Sequence, residues 1–563
     1  MNQRLFLALI LTALVLVATP YFFPGPKAAL KPGTDSLALH TTGAKAQPTA
    51  GAAANTVSSS RPVIGSQAQL KQPQGDTVQA HASKSRYVFS TTGAAPVQVV
   101  LDSYPSRRPG FRNTPSRLVE PGHSLLHFTL LTPKDTVHLD TVAFVKDPTS
   151  TASTLSFSAT AAGYPVVVRY QLPSGREDDY LIHSSISVAN APAGSLVYMQ
   201  LADNLSPNEP DTLDELSHLA VSFRPARGDV QSVNFSKLDT TAARIEPGPI
   251  NWVAIRNKYF LLAVRGTSSP FNGVSLLGGS RTGKVAATAT TLLVTPLRNG
   301  SATFDVYAGP QDFEQLQHLG GDLDQVNPYA GLLHGVIQPV ATIVMKVLLW
   351  MKRTTRLNYG WVLVLFGISI RLLLWPLNQS AMRTSIKMQR LQPEIQALQK
   401  KHGDDPRKQQ EAIMKVYKDH GMSPLSPIMG CLPMLLPMPV LFALYFVFNN
   451  TIEFRGVSFL WLPDISLRDP YYITPLVMGA SMFLMSWIGM RSAPPNPQAK
   501  MMSYMMPVMM TVFFLNFASG LNLYYAVQNV AAIPQQWFIA RERGRSAPVI
   551  LTNMPPAGRK RPA

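Results

Sequence analysis

One arginine stands inside an apolar segment of membrane-spanning character. The segment runs from Gly360 to Pro376 (GWVLVLFGISIRLLLWP), and Arg371 carries its one full charge. An arginine near the centre of a spanning helix costs about 3 kcal/mol on insertion scales, so it indicates a functional site by default. Alternatively, Arg371 lies about 10 Å of helix before Asn378 and extends its side chain to the nearer membrane surface. Both interpretations stay open at this point.

The surrounding sequence limits the chemistry available to Arg371. The other apolar segments of the C-terminal half contain no Asp or Glu. A charge without an internal counter-ion is either hydrated or meets a charge that arrives with a ligand, whereas a proton relay would need carboxylates or histidines in the membrane. The sequence also lacks HExxH, GxSxG and other catalytic pairings. We therefore predict that the protein is not an enzyme and has no catalytic residues.

A second candidate motif, Gly278 to Lys284 (GGSRTGK), matches GxxxxGK, the start of a phosphate-binding loop. Val285 replaces the Ser or Thr that would hold Mg²⁺, and the segment lies between predicted strands instead of opening a helix. We interpret it as a β-turn. The single cysteine, Cys431, excludes an intramolecular disulfide, a cysteine-based metal cage and a CxxC redox pair. No metal and no cofactor is predicted.

The composition indicates a membrane protein. At 563 residues the chain is too long for one compact domain, and its apolar residues are concentrated in a few runs. The net charge of +18 would fit a nucleic acid or an anionic membrane surface. The basic residues cluster beside apolar spans and no nucleic-acid motif accompanies them, which favours the membrane and excludes nucleic acid as a direct ligand.

The N-terminal half is predicted to hold an anchor, a tether and a β-domain. Residues 1–23 contain a long apolar run, which is either a cleaved signal peptide or a retained anchor; the bulky residues at its end favour the anchor. Residues 24–85 are polar and small, as in a mobile linker. Residues 86–328 contain alternating or β-branched runs, which predict an extracytoplasmic antiparallel β-sandwich. The clearest strand segments are residues 97–102, 164–172, 259–266, 290–297 and 302–309.

The remainder is predicted to be a polytopic helical domain. Residues 329–357 form a helix in which His334, Gln338, Thr342 and Lys346 make one polar stripe, as in a helix that lies in the membrane interface. Residues 358–541 contain five spans, and residues 542–563 a basic tail. The four spans that follow the Arg371 segment are residues 427–448, 472–490, 499–515 and 521–539.

The distribution of basic residues predicts the orientation of the six spans, counting the anchor. Residues 382–423 carry nine Lys or Arg, and the tail is rich in arginine, so the positive-inside rule places both in the cytoplasm with the two termini. Residues 382–423 read as a helical hairpin around His402 to Pro406. The hairpin is either a solvated charged element or a docking surface for another assembly.

The last span carries a polar stripe. Asn522, Tyr525 and Asn529 recur at i, i+3 and i+7, so they share one helix face that should contact protein or water instead of lipid. The spans before it are rich in methionine and proline. Methionine is most often plain packing, but a flexible, polarizable lining also suits the binding of many different apolar segments.

Four segments of the C-terminal half resemble the YidC-type membrane protein insertase family, in the right order and over about residues 360–541. They are RLLLWPLNQSAMRTSIKMQRLQPEIQALQKKHGDD (371–405), GCLPMLLPMPVLFALYF (430–446), DPYYITPLVMG (469–479) and SGLNLYYAVQN (519–529). The preceding anchor, tether and β-domain are similar to the Gram-negative form, in which the periplasmic domain is a β-supersandwich.

The resemblance implies a membrane protein insertase and chaperone of the bacterial inner membrane, working alone or with the Sec translocon. Its groove would contain Arg371, with Tyr524 and Tyr525 facing it; Asn522 and Asn529 complete the predicted substrate site. The implied partners are nascent integral membrane proteins, the ribosome, the Sec translocon and membrane lipids. Some family members carry a Thr where this chain has Gly367, which puts a helix-to-helix hydrogen bond from that position in doubt.

Two other functions remain as alternatives. A small-anion transporter or channel would use Arg371 as its selectivity charge. The lack of a second intramembrane charge and of inverted repeats argues against it. An envelope-binding protein would use the β-domain and keep the spans only as an anchor, but the methionine-rich, polar-striped spans argue against a passive anchor.

Overall fold

The computed structural model describes residues 75–545, with gaps at 174, 176–178, 284, 328–333, 377, 381–390, 392–393, 396, 399–400, 402–405, 421–437 and 491–496. The predicted anchor (residues 1–23), the tether up to residue 74 and the tail beyond residue 545 lie outside these residues. The same is true of Lys284 and of the first part of the predicted span at 427–448.

The N-terminal described region is a β-domain. Its strands are β1 (Thr77–His81), β2 (Ser85–Ser90), β3 (Pro96–Pro105), β4 (Pro115–Arg117), β5 (Leu126–Leu131), β6 (Thr136–His138), β7 (Val145–Lys146), β8 (Thr154–Ala161), β9 (Tyr164–Gln171), β10 (Leu181–Val188), β11 (Leu196–Leu201), β12 (Ala220–Pro225), β13 (Gln231–Asn234), β14 (Arg244–Arg256), β15 (Phe260–Gly266), β16 (Phe271–Gly278), β17 (Arg281–Thr282), β18 (Val285–Ala286), β19 (Ala289–Pro296) and β20 (Ser301–Pro310). The five strand segments predicted from sequence correspond to β3, β9, β15, β19 and β20, so these predictions are confirmed.

Within the described residues the strands form a 14-stranded sheet, a four-stranded sheet and a two-stranded hairpin. The pairings are antiparallel, as in the central pair where Leu181 of β10 lies opposite Tyr307 of β20. The four-stranded sheet, in the order β1-β2-β3-β4, packs against the large sheet. The rings of Phe89 and Tyr170 lie 4.8 Å apart there, and the Tyr170 hydroxyl donates to the Ala94 carbonyl. One apolar core therefore joins the two sheets.

The β-structure begins earlier than the sequence analysis placed it. β1 and the start of β2 lie before residue 86, in the segment predicted to be tether. β1 is an edge strand whose residues are mostly exposed, and only Ala80 is buried. Its short polar sequence has too little apolar alternation to be recognised as a strand.

The GxxxxGK match belongs to strands and a tight turn, which confirms the turn interpretation. Gly278 ends β16, and β17 pairs with β18 around Gly283, whose φ of +63° favours glycine. Strands, not a helix, come directly after the motif in the described residues, so the helix N-terminus that a phosphate-binding loop requires is missing there.

The C-terminal described region is helical. The continuous α-helices of the described residues include α1 (Thr212–Ser217), α2 (Phe313–Leu319), α3 (His334–Thr355), α4 (Tyr359–Leu373), α5 (Pro406–Asp419), α6 (Met438–Asn450), α7 (Ile473–Met490), α8 (Pro497–Phe514) and α9 (Ser519–Arg545). A second apolar core is built from α3, α4, α6 and α9 with the loop that precedes α7.

Helix length alone does not support the predicted count of six spans. Among the described helices, α7 is long and apolar enough to cross a membrane by itself. α3 and α4 meet the same test only as a pair, and they are bent by 118° at the break between them. α6 and residues Ser503–Phe514 of α8 are apolar but shorter. α9 is long, but its asparagines and glutamines lower its hydropathy.

The polar stripe of helix α3 lies in part against the β-domain, while its Lys346 is exposed. Gln338 is buried beside a small cavity that Gln311 and Asn327 of the β-domain also line. The large apolar residues Ile343 and Trp350 are exposed instead, at 62% and 63%. The stripe therefore serves in part to contact the β-domain, and an apolar face points away from it.

The predicted hairpin at residues 382–423 is described in part. Residues 391, 394, 395, 397, 398 and 401 are helical, and α5 follows the breaker. Leu391 packs with Val416 and Tyr417 of α5, and the half-buried Ile395 and Leu398 join them. Two helices that share an apolar seam across a short breaker fit the predicted hairpin.

A loop of the helical region is fixed to the β-domain. This loop, residues 451–472, joins α6 to α7. Its Arg455 pairs with Glu209, and its Asp464 pairs with Arg107. The side chain of Glu453 accepts a hydrogen bond from the Phe313 backbone N–H at the start of α2. Because the ring of Phe454 also packs against Tyr359 at 5.0 Å, the same loop holds the N-terminal end of α4.

Candidate functional site

Arg371 lies on helix α4. Asn358 caps the helix by accepting a hydrogen bond from the Gly360 backbone N–H at 2.9 Å, and the residues that follow are apolar. Arg371 lies in the last turn, where a cation interacts favourably with the helix dipole. Its side chain is half-buried at the seam between α4 and α9, the line along which the two helices pack, and it contacts Gln535 of α9.

Helices α4 and α9 approach each other closely at Gly367. A Cβ atom at this position would lie 3.1 Å from Cγ1 of Val527, so the two helices leave little room for a side chain. Gln528 of α9 donates from Nε2 to the Gly367 carbonyl at 2.8 Å and to the Tyr524 hydroxyl at 3.1 Å. A helix-to-helix hydrogen bond therefore exists at residue 367, and its acceptor is the backbone carbonyl of Gly367.

Arg371 is held by a neutral partner. Its Nη2 donates to Oε1 of Gln535 at 2.9 Å, and Nε2 of Gln535 donates to the Trp375 carbonyl at 3.3 Å. The Nε of Arg371 is buried without a hydrogen-bond partner. Among the residues described, no carboxylate lies within ion-pair distance of Arg371, and this agrees with the absence of Asp and Glu from the predicted spans. Within the described residues, the positive charge therefore has no opposite charge beside it.

Of the four other residues predicted for the groove, not all lie beside Arg371. Tyr524 is buried on the α4 face of α9, with its ring 5.9 Å from that of Phe366. Tyr525 is half-buried and packs against Phe514 at 5.4 Å. Arg371 and Tyr524 therefore share the seam between α4 and α9, whereas Tyr525 lies toward α8.

The two asparagines of the polar stripe contact other helices. Asn522 is fully buried and donates to the Phe514 carbonyl at 3.1 Å. Asn529 donates to Oγ of Ser481 at 3.2 Å and to the Met478 carbonyl at 3.4 Å, both on α7. These hydrogen bonds agree with the expectation that the two side chains face protein. The structure does not place either side chain next to Arg371.

Sequence reasoning missed Gln528 and Gln535, which contact α4 directly. A signal for them is present: Tyr524, Gln528 and Gln535 are spaced by four and seven residues, so they share one face of a helix. That face lies next to the stripe of Asn522, Tyr525 and Asn529. α9 therefore carries two adjacent polar faces, one toward α4 and one toward α7 and α8.

Two family models match the chain. Residues 77–343 match the model for the YidC periplasmic domain, and residues 350–546 match the model for the 60Kd inner membrane protein. The membrane protein insertase YidC of Azotobacter vinelandii is 31% identical over 389 residues, which is 68% of each chain. The YidC of Chlorobaculum tepidum is 30% identical over 417 residues, covering 71% of this chain and 67% of the relative. The chain belongs to the YidC family of membrane protein insertases.

This YidC family member is accordingly an insertase and not an enzyme, as the motifs predicted. Its family is one of inner-membrane insertases with a periplasmic domain, and the small-anion transporter is not favoured. A solved structure described as an active YidC insertase with the first transmembrane domain resolved covers 84% of this chain and 95% of its own. It is 17% identical, with a TM-score of 0.33.

Proposed function

We propose that the seam between α4 and α9 near Arg371 is where the polar flank of a nascent membrane protein enters the membrane. The uncompensated charge of Arg371 carries this proposal. A buried charge that stabilises a fold is normally paired with an opposite charge, whereas among the described residues Arg371 bonds only to the amide of Gln535. An arginine that is left unpaired inside an apolar helix is available to water and to an incoming acidic group.

The proposed mechanism needs no nucleotide. Water around Arg371 shortens the apolar barrier that a polar flank must cross, and the apolar segment of the substrate moves sideways into lipid along the methionine-rich spans. The driving force is the removal of apolar surface from water, about 25 cal/mol per Å². Attraction between Arg371 and acidic residues of the flank adds selectivity.

The proposed topology follows the basic residues. Residues 1–23 are an anchor, 24–76 a linker, and the β-domain from residue 77 to about 328 is periplasmic. Residues 329–357 are an interfacial helix. Residues 358–541 hold five spans, with the hairpin at 382–423, the tail at 542–563 and both termini in the cytoplasm. The ribosome and the Sec translocon are partners on the cytoplasmic side and in the membrane, and lipids receive the inserted segment.

Two model substrates that differ only in the charge of the translocated flank test the role of Arg371. Membranes holding equal amounts of each variant are scored by protease protection of the flank. Arg371→Ala should reduce insertion of the acidic-flank substrate and leave the uncharged-flank substrate less affected. Arg371→Lys should keep most of the activity, because a hydrated site requires charge and not the guanidinium fork.

Arg541→Ala is the matched control, since Arg541 is exposed near the end of α9 and lies over the ring of Trp537. This variant should insert both substrates as well as the parent chain does. If Arg371→Ala also inserts both substrates normally, Arg371 only reaches to the membrane surface and the proposal is wrong. If the Arg371→Ala protein fails to accumulate, its role is structural.

The topology is tested separately by thiol labelling. In a Cys431→Ser background, Gln410→Cys places one thiol on an exposed position of α5. A membrane-impermeant reagent should label it only after the cells are lysed. Labelling in intact cells would overturn the cytoplasmic position of the hairpin.

A further inference from the structure

Gln535 contacts Arg371 from the opposite helix and is among the most buried polar side chains of α9, at 2% exposure. Its amide makes two hydrogen bonds, one to α4 and one just beyond its C-terminal end: Oε1 accepts from Arg371, and Nε2 donates to the Trp375 carbonyl. The two bonds determine which end of the amide faces Arg371. A flipped amide would set its NH₂ against the guanidinium and its oxygen against the Trp375 oxygen, and both contacts would be repulsive.

The neutrality of Gln535 has a chemical consequence. A carboxylate at the same place would form a charge-assisted hydrogen bond with Arg371 and cancel its charge within the seam. An apolar side chain would leave the guanidinium without an acceptor and free to change rotamer. A glutamine orients the guanidinium and leaves its net charge intact.

We propose that Gln535 is a positioning residue that sets the charge selectivity of insertion through Arg371. The proposal rests on the function proposed above for Arg371. In this proposal, Gln535 holds the guanidinium of Arg371 toward the path of the substrate flank. Because its amide is neutral, it leaves the positive charge of Arg371 in place.

Three variants separate orientation from charge. Gln535→Glu keeps the size of the side chain and adds a carboxylate beside Arg371, so it should abolish the advantage of the acidic flank as completely as Arg371→Ala does. Gln535→Leu removes the acceptor and should weaken that advantage. Gln535→Asn keeps the amide but is one methylene shorter, so it should fall between the parent chain and Gln535→Leu.

The control is the neighbouring residue. Gln536 is half-buried, and its Oε1 lies toward Gly489 of α7 instead of α4. Gln536→Glu adds the same charge one residue along the same helix and should leave the flank preference unchanged. The readout is the ratio of protease-protected acidic-flank substrate to uncharged-flank substrate, at equal accumulation of each variant.

A double variant shows whether Gln535 acts through Arg371. If it does, Gln535→Leu combined with Arg371→Ala should show no greater loss of the ratio than Arg371→Ala alone, because coupled residues are not additive. An additive loss would overturn the positioning role. Equal loss of both substrates in Gln535→Glu would also overturn it, since that result marks a purely structural residue.

The two proposals fail in different ways. If Arg371→Ala leaves the ratio unchanged, the function proposed for Arg371 fails, and the role of Gln535 fails with it. If Arg371→Ala lowers the ratio but Gln535→Glu and Gln535→Leu keep it at the parent value, the positioning role alone is wrong. Should Gln535→Leu not accumulate, Gln535→Glu and Gln535→Asn still decide the question.

Discussion

Arg455 and Arg371 are two buried or half-buried arginines with opposite surroundings. Arg455, at the joint between the β-domain and the helical region, has a side chain that is 3% exposed and pairs with Glu209 at 2.5 Å. It also donates to the Pro105 carbonyl, and its guanidinium lies over the rings of Tyr259 and Phe260. Arg371, at the far end of α4, bonds to one neutral amide and keeps a buried Nε without a partner.

The charge of Arg455 joins two parts of the fold. The charge of Arg371 remains available to bind a ligand. A desolvated charge is tolerated when an opposite charge and hydrogen bonds compensate it, as around Arg455. The surroundings of Arg371 provide no such compensation within the described residues. We therefore expect that substitutions in the joint lower the stability of the protein strongly. Substitution of Arg371 should change stability little and should impair insertion.

The largest effect is expected at the joint. Glu209→Ala leaves Arg455 buried and uncompensated, which should lower the free energy of unfolding by about 3–5 kcal/mol. Thermal unfolding of the detergent-solubilised full chain measures the change. Asp102→Ala, which breaks the exposed pair with Arg86, is the control and should cost about 1 kcal/mol or less. Equal effects of the two substitutions would contradict the assignment of the joint as a buried ionic contact.

The second effect is a pH dependence that arises at Glu453 in the same joint. Burial, with Asp312 nearby, raises the pKa of Glu453 from 4.5 to about 8, and its Oε2 has no hydrogen-bond partner. Between these two pH values the folded protein binds a proton that the unfolded chain has lost, so stability should fall as pH rises from about 4.5 to about 8.

Glu453→Gln should remove this part of the pH dependence, because the amide stays neutral throughout. The measurement is the midpoint of thermal unfolding at several pH values across that window. Glu411→Gln, on the exposed side of α5, is the control and should keep the parent slope. A Glu453→Gln protein with the unchanged slope would show that another group causes it.

The third effect concerns the close approach of α4 and α9. Gly367→Val adds atoms where a Cβ already lies 3.1 Å from Val527, and overpacking of this kind costs about 1–3 kcal/mol. Gly335→Val is the control, because nothing lies within 4 Å of a Cβ at that position of α3. Equal unfolding midpoints for the two variants would mean that the seam is looser than described.

The smallest effect on stability is expected for Arg371 itself. Arg371→Ala removes an uncompensated charge and relieves its desolvation, so the free energy of unfolding should change by about 1 kcal/mol or less. The same unfolding assay measures it, side by side with Glu209→Ala. A loss as large as that of Glu209→Ala would remove the contrast between the two arginines.

The sequence alone predicted what depends on local pattern. Alternating segments identified β3, β9, β15, β19 and β20, and an apolar run with one charge identified Arg371. The start of the β-domain was placed too late because β1 is a short polar edge strand, recognisable only from its pairing with β2.

The contacts of the site depended on tertiary packing, which no local pattern reports. Gln535 lies 164 residues from Arg371 in sequence. Its spacing from Gln528 and Tyr524 predicts that the three residues share one helix face, but it does not predict which helix that face contacts. For the same reason Asn522 and Asn529 were assigned to the groove although they contact α8 and α7. The polar stripe of α3 likewise predicted a helix in the membrane interface, and the contact of Gln338 with the β-domain side could not be predicted because it is not encoded locally.

The 118° bend between α3 and α4 has a consequence for lipid composition. With α4 crossing the bilayer as proposed, α3 lies near the membrane surface and holds the N-terminal end of α4 at a fixed height. Arg371 is 12 residues beyond Tyr359, so its depth is about 18 Å measured from the periplasmic face. In a hydrocarbon core of about 30 Å, the remaining barrier on the cytoplasmic side is about 12 Å. Longer acyl chains thicken only that remaining layer, so insertion should slow as the bilayer thickens.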